Sequence, residues 1–225
     1  MLFPFLIFMK NELVCTDFFH QNFPENKNPV FVAASPGRMD VMGGIADYSG
    51  SLVLQMPIAE KTMVALAFNN SDKLCVKTSN ENVISSFSID YSHLLNENVI
   101  DYDFAHRKLT QMPDGDWAIY VIGCLLVLAK EKQLDVQGLD IFIDSAIPLG
   151  KGVSSSAALE VATLKALAAA FNIDFQRTEL PILAQKAENH VVKAPCGLMD
   201  QLASYFGVRG KLLPILCQPD ILYPL

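Results

Sequence analysis

The sequence predicts an α+β fold, on three observations. Strand-like runs crowd residues 29–89, helical patterns dominate the second half, and no strict β-α-β alternation links the two. A chain of 225 residues that is 51% hydrophobic can bury a large core. No internal repeat, low-complexity tract or Pro/Gly/Ser-rich linker divides it, so one continuous domain is expected.

The opening MLFPFLIFM at 1–9 is apolar but too short to span a bilayer, and lacks a basic flank or a small-residue cleavage pattern. It reads as an edge strand, or as a start displaced from Met9. PVFVAA at 29–34, SLVLQ at 51–55, KTMVALAF at 61–68, LCVKT at 74–78 and VISSFSI at 83–89 are β-branched or alternating runs, separated by turn clusters such as NNSD and SNEN. Residues 115–133 carry a helical pattern opened by Asp114 and Asp116. Their apolar stretch WAIYVIGCLLVLA is again too short for a bilayer and reads as a core helix.

GLDIFID at 138–144 returns to strand. From Ser155 to about Phe171 the chain is apolar almost all round, with Glu160, Thr163 and Lys165 as its few polar members, which predicts a buried helix. Another helix is expected at about 178–190. KLLPILC at 211–217 reads as a last strand, with Pro214 confining it to an edge or bulge.

The net charge of −7 speaks against a nucleic-acid partner, which would need clustered Lys and Arg. A nucleotide would have to be held by backbone amides and a metal. The five cysteines are widely spread with no CxxC pair, so neither a disulfide framework nor a zinc site is indicated and a reducing cytoplasm fits.

PLGKGVSSSAALE at 148–160 joins a predicted strand to the buried helix. Gly150 and Gly152 permit backbone angles that turn several N–H groups into one concavity, and the helix start adds its positive dipole end, an arrangement suited to a di- or triphosphate. Ser154, Ser155 and Ser156 can cap the helix, donate to phosphate oxygens, or give one oxygen to Mg²⁺. A plain Gly-containing turn with a Ser cap remains the alternative, and neither GxxxxGK[ST] nor GxGxxG is present.

PLGKGVSSSAA resembles the second motif of the galactokinase, homoserine kinase, mevalonate kinase and phosphomevalonate kinase (GHMP) superfamily. SPGRMDVMGGIADYSGSLVLQMPIA at 35–59 is similar to the N-terminal signature of its galactokinase branch, and QKAENHVVKAPCGLMDQLASYFG at 185–207 to its catalytic segment. The three matches run in family order. The resemblance implies a ribosomal protein S5 domain 2-like N-terminal domain over 29–217, preceded by a lead-in at 1–28. It makes 218–225 the start of a connection to a C-terminal domain, encoded separately or lost by truncation.

It also implies roles for single residues. Asp200 matches the general base and Arg38 the arginine that pairs with it and with the reacting oxygens; a guanidinium there stabilises developing negative charge. Taken alone, Asp200 could be a helix cap and Arg38 a surface ion pair. Glu188 matches the acidic Mg²⁺ ligand, joined by Ser156, and ATP falls to Gly150, Lys151, Gly152, Val153, Ser154, Ser155 and Ser156. Glu188 could instead be an exposed helix carboxylate. Sugar contacts fall to Arg38, Gly44, Ile45, Asp47, Gly197 and Asp200. His190 reads as a solvated or capping residue at a helix end, and Cys196 as a buried structural thiol without an activating partner.

One departure bears on substrate. Galactokinases usually carry a Glu-His pair where this chain has Gly44 and Ile45, while Asp47 and Tyr48 match. The resemblance implies that the Glu-His end contacts the hydroxymethyl group of galactose. A sugar lacking that group but keeping the other stereochemistry is L-arabinose, and GGIADYSGSLVLQMPI is similar to the matching segment of plant-type L-arabinokinases. The implied activity is an ATP-dependent sugar 1-kinase, with galactose as the alternative acceptor and an inactive binding lobe as the alternative outside catalysis.

Overall fold

The period-2 alternation of KTMVALAF turns Val64 and Leu66 to one face of a sheet and Met63, Ala65 and Ala67 to the other, and both faces are covered. These relations come from a computed structural model that describes residues 14–44, 46–80, 83–217 and 221–222. The expected edge strand at 1–9 lies outside the described residues. Helix α1 (14–22) packs Cys15 and Phe19, followed by Phe23, against the second face beside Phe142, so part of the predicted lead-in belongs to the folded body.

Strands β1 (Phe31–Met42) and β2 (Leu52–Phe68) form a long antiparallel pair. The sequence reading split β2 at MPIAE, but the structure runs straight through Pro57. On its other edge β2 pairs through Leu52–Gln55 and Thr62–Phe68, and no ladder on that edge spans residues 56–61. A missing N–H is tolerated there. β3 (Lys73–Asn80) and β4 (Val83–Asp90) form a hairpin, and β5 (Leu95–Asn96) with β6 (Val99–Ile100) a small second sheet.

Helix α2 (Tyr102–Thr110), absent from the sequence reading, is capped by Asp101, whose carboxylate accepts from the Phe104 N–H at 3.0 Å. α3 (Gly115–Lys132) is the expected core helix, with Ala118, Ile119 and every residue from Val121 to Ala129 buried. Among the described residues no helix is long and apolar enough to cross a membrane. β7 (Leu139–Ser145) pairs parallel with β3 and antiparallel with β2, making the sheet mixed.

α4 (Ser155–Phe171) lies on the first face with Val161, Leu164 and Leu167 in the main core. Burying an aliphatic side chain of this size stabilises the fold by about 1.5–3 kcal/mol. The helix expected at 178–190 is α5 (Glu179–Lys186), which passes into a π-helical turn (Ala187–Val192).

α6 (Met199–Phe206) buries Met199 and Leu202 against Val53 and Ile215, and the Ser35 hydroxyl ties it to β1 by donating to the Ser204 carbonyl at 2.9 Å. β8 (Leu213–Leu216) is not an edge strand, since β9 (Ile221–Leu222) pairs with its last two residues. Pro214 lies outside that pairing, which explains how a proline fits. The ladder also carries the sheet past the expected boundary at 217.

Candidate functional site

The loop from β7 to α4 turns on two glycines in the left-handed region, Gly150 at φ +69° and Gly152 at φ +70°. A Cβ at either would meet nothing within 4 Å, so backbone angle and not space reserves both positions for glycine. The loop folds back on β1, where the Arg38 N–H donates to the Val153 carbonyl at 3.1 Å. A Cβ on Gly37 would lie 2.7 Å from that same oxygen. Lys151 points to the exterior.

Arg38 is 8% exposed. Its Nε and Nη2 donate to Asp200 Oδ1 at 2.9 and 2.8 Å, and its Nη1 donates to the Gly152 carbonyl at 2.6 Å. The surface ion-pair alternative is therefore excluded. So is the cap alternative for Asp200: the N-cap of α6 is Leu198, and Asp200 stands in the first turn, where the helix dipole favours negative charge. Ser154 occupies the N-cap position of α4 at φ 55° without making a side-chain cap bond. Its hydroxyl donates instead to Asp200 Oδ2 at 2.5 Å. The strained residue gives up capping to hold the second oxygen of the carboxylate.

Glu188 stands on the π turn and is 7% exposed, so it is not the exposed helix carboxylate of the alternative reading. Burial pushes its carboxyl up, and hydrogen bonds from Cys196 and Ser156 pull it back. Ser156 and Glu188 are thus brought together by a hydrogen bond. Behind them stands Glu160 of α4, wholly buried and pushed well above the ordinary carboxylate range by burial and then by Glu188.

The sequence reading took Glu160 only as a polar interruption of an apolar helix. Its spacing four residues after Ser156 was the available signal, since i and i+4 share a helix face. Among the described residues no group of three or more His, Cys, Asp and Glu side chains is arranged to hold an ion. The oxygen set of Glu188 and Ser156 suits Mg²⁺, which takes few protein ligands and keeps phosphate oxygens and water for the rest.

Cys196 is half-buried rather than buried, and its thiol donates to Glu188 Oε2 at 3.2 Å. Burial pushes it up, so it is no nucleophile. His190 is exposed and stacks on Tyr102 with ring centroids 6.4 Å apart.

A cavity of about 820 Å³ opens beside the loop, lined by Leu149, Ser155 and Ser156, by Trp117 and Tyr120 of α3, and by Ser79 and Ser85 from the β3–β4 hairpin. The sequence reading placed Trp117 in the core helix. It is the single tryptophan and stands in the first turn of α3, where it is only partly buried.

The turn at 43–51 hangs from Asp40, which accepts from the Gly44 N–H at 2.6 Å and from Gln55 Nε2 at 2.8 Å. Gly44 is exposed at φ +56°, and Ile45 lies outside the described residues. Asp47 reaches the segment that leads into α6: a Cβ on Gly197 would fall 2.0 Å from Asp47 Oδ2. Gly197 is therefore the residue that lets the turn and α6 meet.

Two family profiles match this chain: "GHMP kinases N terminal domain" over residues 119–208 and "Galactokinase galactose-binding signature" over 17–68. The chain belongs to the GHMP kinases. It is 43% identical to an L-arabinokinase of Arabidopsis thaliana, over 84% of this chain and 21% of that protein. It is 32% identical to a galactokinase of Mannheimia succiniciproducens, over 82% of this chain and 44% of the relative. The chain thus spans less than half the length of these curated relatives.

Lactococcus lactis galactokinase complexed with galactose superposes with a TM-score of 0.73 at 28% identity, covering 92% of this chain and 50% of the other. Methanococcus jannaschii mevalonate kinase, at 16% identity and a TM-score of 0.70 over 89% and 57% of the two chains, shares the fold. The α+β expectation and its GHMP N-terminal form are therefore met.

Proposed function

We propose that this chain is the ATP- and sugar-binding part of a sugar 1-kinase that phosphorylates L-arabinose. The observation that carries the reading is the Arg38–Asp200 pair, in which the buried Arg38 also reaches the glycine loop and Ser154 holds the other oxygen of Asp200. Asp200 accepts the proton of the anomeric hydroxyl. As that O–H bond breaks, the oxygen bonds to the γ-phosphorus and the bond to the β-phosphate oxygen of ADP breaks.

Arg38 fixes the carboxylate and presents positive charge to the reacting oxygens. The N–H groups of 150–156 and the start of α4 receive the phosphates, and the cavity beside Trp117 receives the base; its volume falls in the usual range for small-molecule sites. Glu188 and Ser156 would hold Mg²⁺, which when bound neutralises phosphate charge. With ATP as donor, we place the reaction in the cytoplasm, with a C-terminal GHMP lobe as the partner of this one.

For the acceptor, Asp47 grips ring hydroxyls, while the sequence has Gly44 and Ile45 at the positions where galactokinases usually carry a polar Glu-His pair for the hydroxymethyl group. A site without those partners leaves none unpaired opposite a missing hydroxyl. The higher identity to the Arabidopsis L-arabinokinase supports this choice. The match of 17–68 to the galactose-binding signature favours galactose as the second reading.

A coupled ADP-release assay with Mg²⁺ and each sugar tests the proposal, with L-arabinose-dependent release expected. Equal or faster release with galactose overturns the acceptor. Absence of sugar-dependent release, together with no calorimetric binding of ATP, overturns the kinase reading itself.

A further inference from the structure

Gln201 follows Asp200 on α6, takes no part in the reaction described above, and is wholly buried. Its side-chain amide donates to Glu188 Oε2 at 2.7 Å and to Glu160 Oε2 at 3.3 Å. Glu188 Oε2 also takes the Cys196 thiol at 3.2 Å. One oxygen of Glu188 is therefore occupied by two protein donors while the carboxylate faces Ser156. Three elements meet at this one amide: the helix of the base, the π turn of Glu188, and α4, which also carries Ser156. Without the amide, Glu160 and Glu188 would face each other with no nitrogen donor between them, and the Glu188 carboxylate would lose the 2.7 Å bond that orients it.

We propose that Gln201 is a positioning residue, holding the Glu188 carboxylate against Ser156 so that the pair can take a divalent cation, and coupling that pair to the helix that carries Asp200. The inference rests on the kinase reading, in which Glu188 and Ser156 bind the metal of a nucleoside triphosphate. Outer partners of a metal ligand commonly change metal affinity by about 10–100-fold when removed. A buried glutamine that served packing alone would change stability and leave metal affinity where it was.

The test uses the full chain and Mn²⁺ as probe, with free Mn²⁺ followed by electron paramagnetic resonance in the presence of saturating ATP. Gln201→Met keeps the volume and removes the amide. It is expected to weaken Mn²⁺ binding about tenfold or more, while ATP affinity in chelator changes less than about twofold.

Equal Mn²⁺ affinity in the folded variant and the wild type overturns the positioning role alone. So does a parallel loss of metal-free ATP affinity. A wild-type chain that takes up no Mn²⁺ with ATP overturns the kinase reading and this inference with it.

Should the variant fail to fold, the wild type still decides. The side-chain NH₂ resonance of Gln201 is expected to shift when Mg²⁺ is added to the ATP-bound chain. No shift there, while Ser156 responds to the ion, overturns the proposal.

Discussion

Around residues 148–156 the polar groups that define the site are tied to Arg38 and Asp200 from distant segments, whereas the turn at 43–51 rests on Asp40, itself held by the buried Gln55, and on local backbone bonds. Arg38 and Ser154 hold Asp200 through three bonds, and Arg38 is fastened to the loop by a fourth, to the Gly152 carbonyl, and by a strand-to-loop contact. Gly44 has open space around its Cα and an exposed backbone. Under the proposed function, the difference follows from what each side would do. Transition-state charge is best met by groups fixed before the reaction, while a binding turn tolerates exchange of single side chains without disturbing the core.

The sharpest way to break this comparison is Asp200→Asn. Loss of the proton acceptor should lower kcat by about 10²–10⁴-fold, with ATP affinity by calorimetry nearly unchanged. A kcat near that of the wild type would remove Asp200 from its role.

Next comes Gly197→Ala. A Cβ 2.0 Å from Asp47 Oδ2 forces the turn away from α6, and the KM for sugar should rise about tenfold, the equivalent of ~1.4 kcal/mol, while the KM for ATP holds. Equal effects on both constants would show the two sides to be one unit.

A smaller and paired effect is expected from Gly152→Ala and Gly44→Ala. Each glycine has a positive φ and free space, so each change should cost about 1 kcal/mol of stability. Gly152→Ala should weaken ATP binding and Gly44→Ala sugar binding, and crossed effects in calorimetry would blur the boundary between the regions.

The smallest effect on activity is expected outside both. Lys165 on α4 has its amine lowered to about 8 by burial, from an ordinary 10.5. A depressed folded value means this lysine's contribution to stability is full above 10.5 and is lost as pH falls through about 8. Lys165→Met should therefore raise the melting temperature at pH 7 by about 5 °C, with the gain shrinking between pH 8 and 10.5. Neither kcat nor sugar KM should move.

Much of the frame was legible because it depends on local patterns. The helix Ser155–Phe171 was read to its ends, since an apolar run opened by serines leaves little choice. The three motifs named the family and implied most of the proposed site. Continuity of β2 through Pro57 was not legible, because it depends on which edge lacks a neighbour. Nor was the role of Ser154, whose hydroxyl finds Asp200 from 46 residues away. Glu160 and Gln201 passed as core residues for the same reason, being ordinary on their own helices and telling only where α4, α6 and the π turn converge.

The sequence alone therefore determined the α+β class and raised the question about the acceptor, and its motifs implied, by resemblance, the phosphate loop and the Arg38 and Asp200 roles. The class follows from residue type and periodicity, and the implied roles from family motifs carried by contiguous chain. Only the tertiary structure decided that Ser154 serves Asp200 rather than its helix, that Gly197 makes room for Asp47, and that Gln201 joins two buried carboxyls. Each is a contact between distant segments, fixed by how the sheet and helices pack.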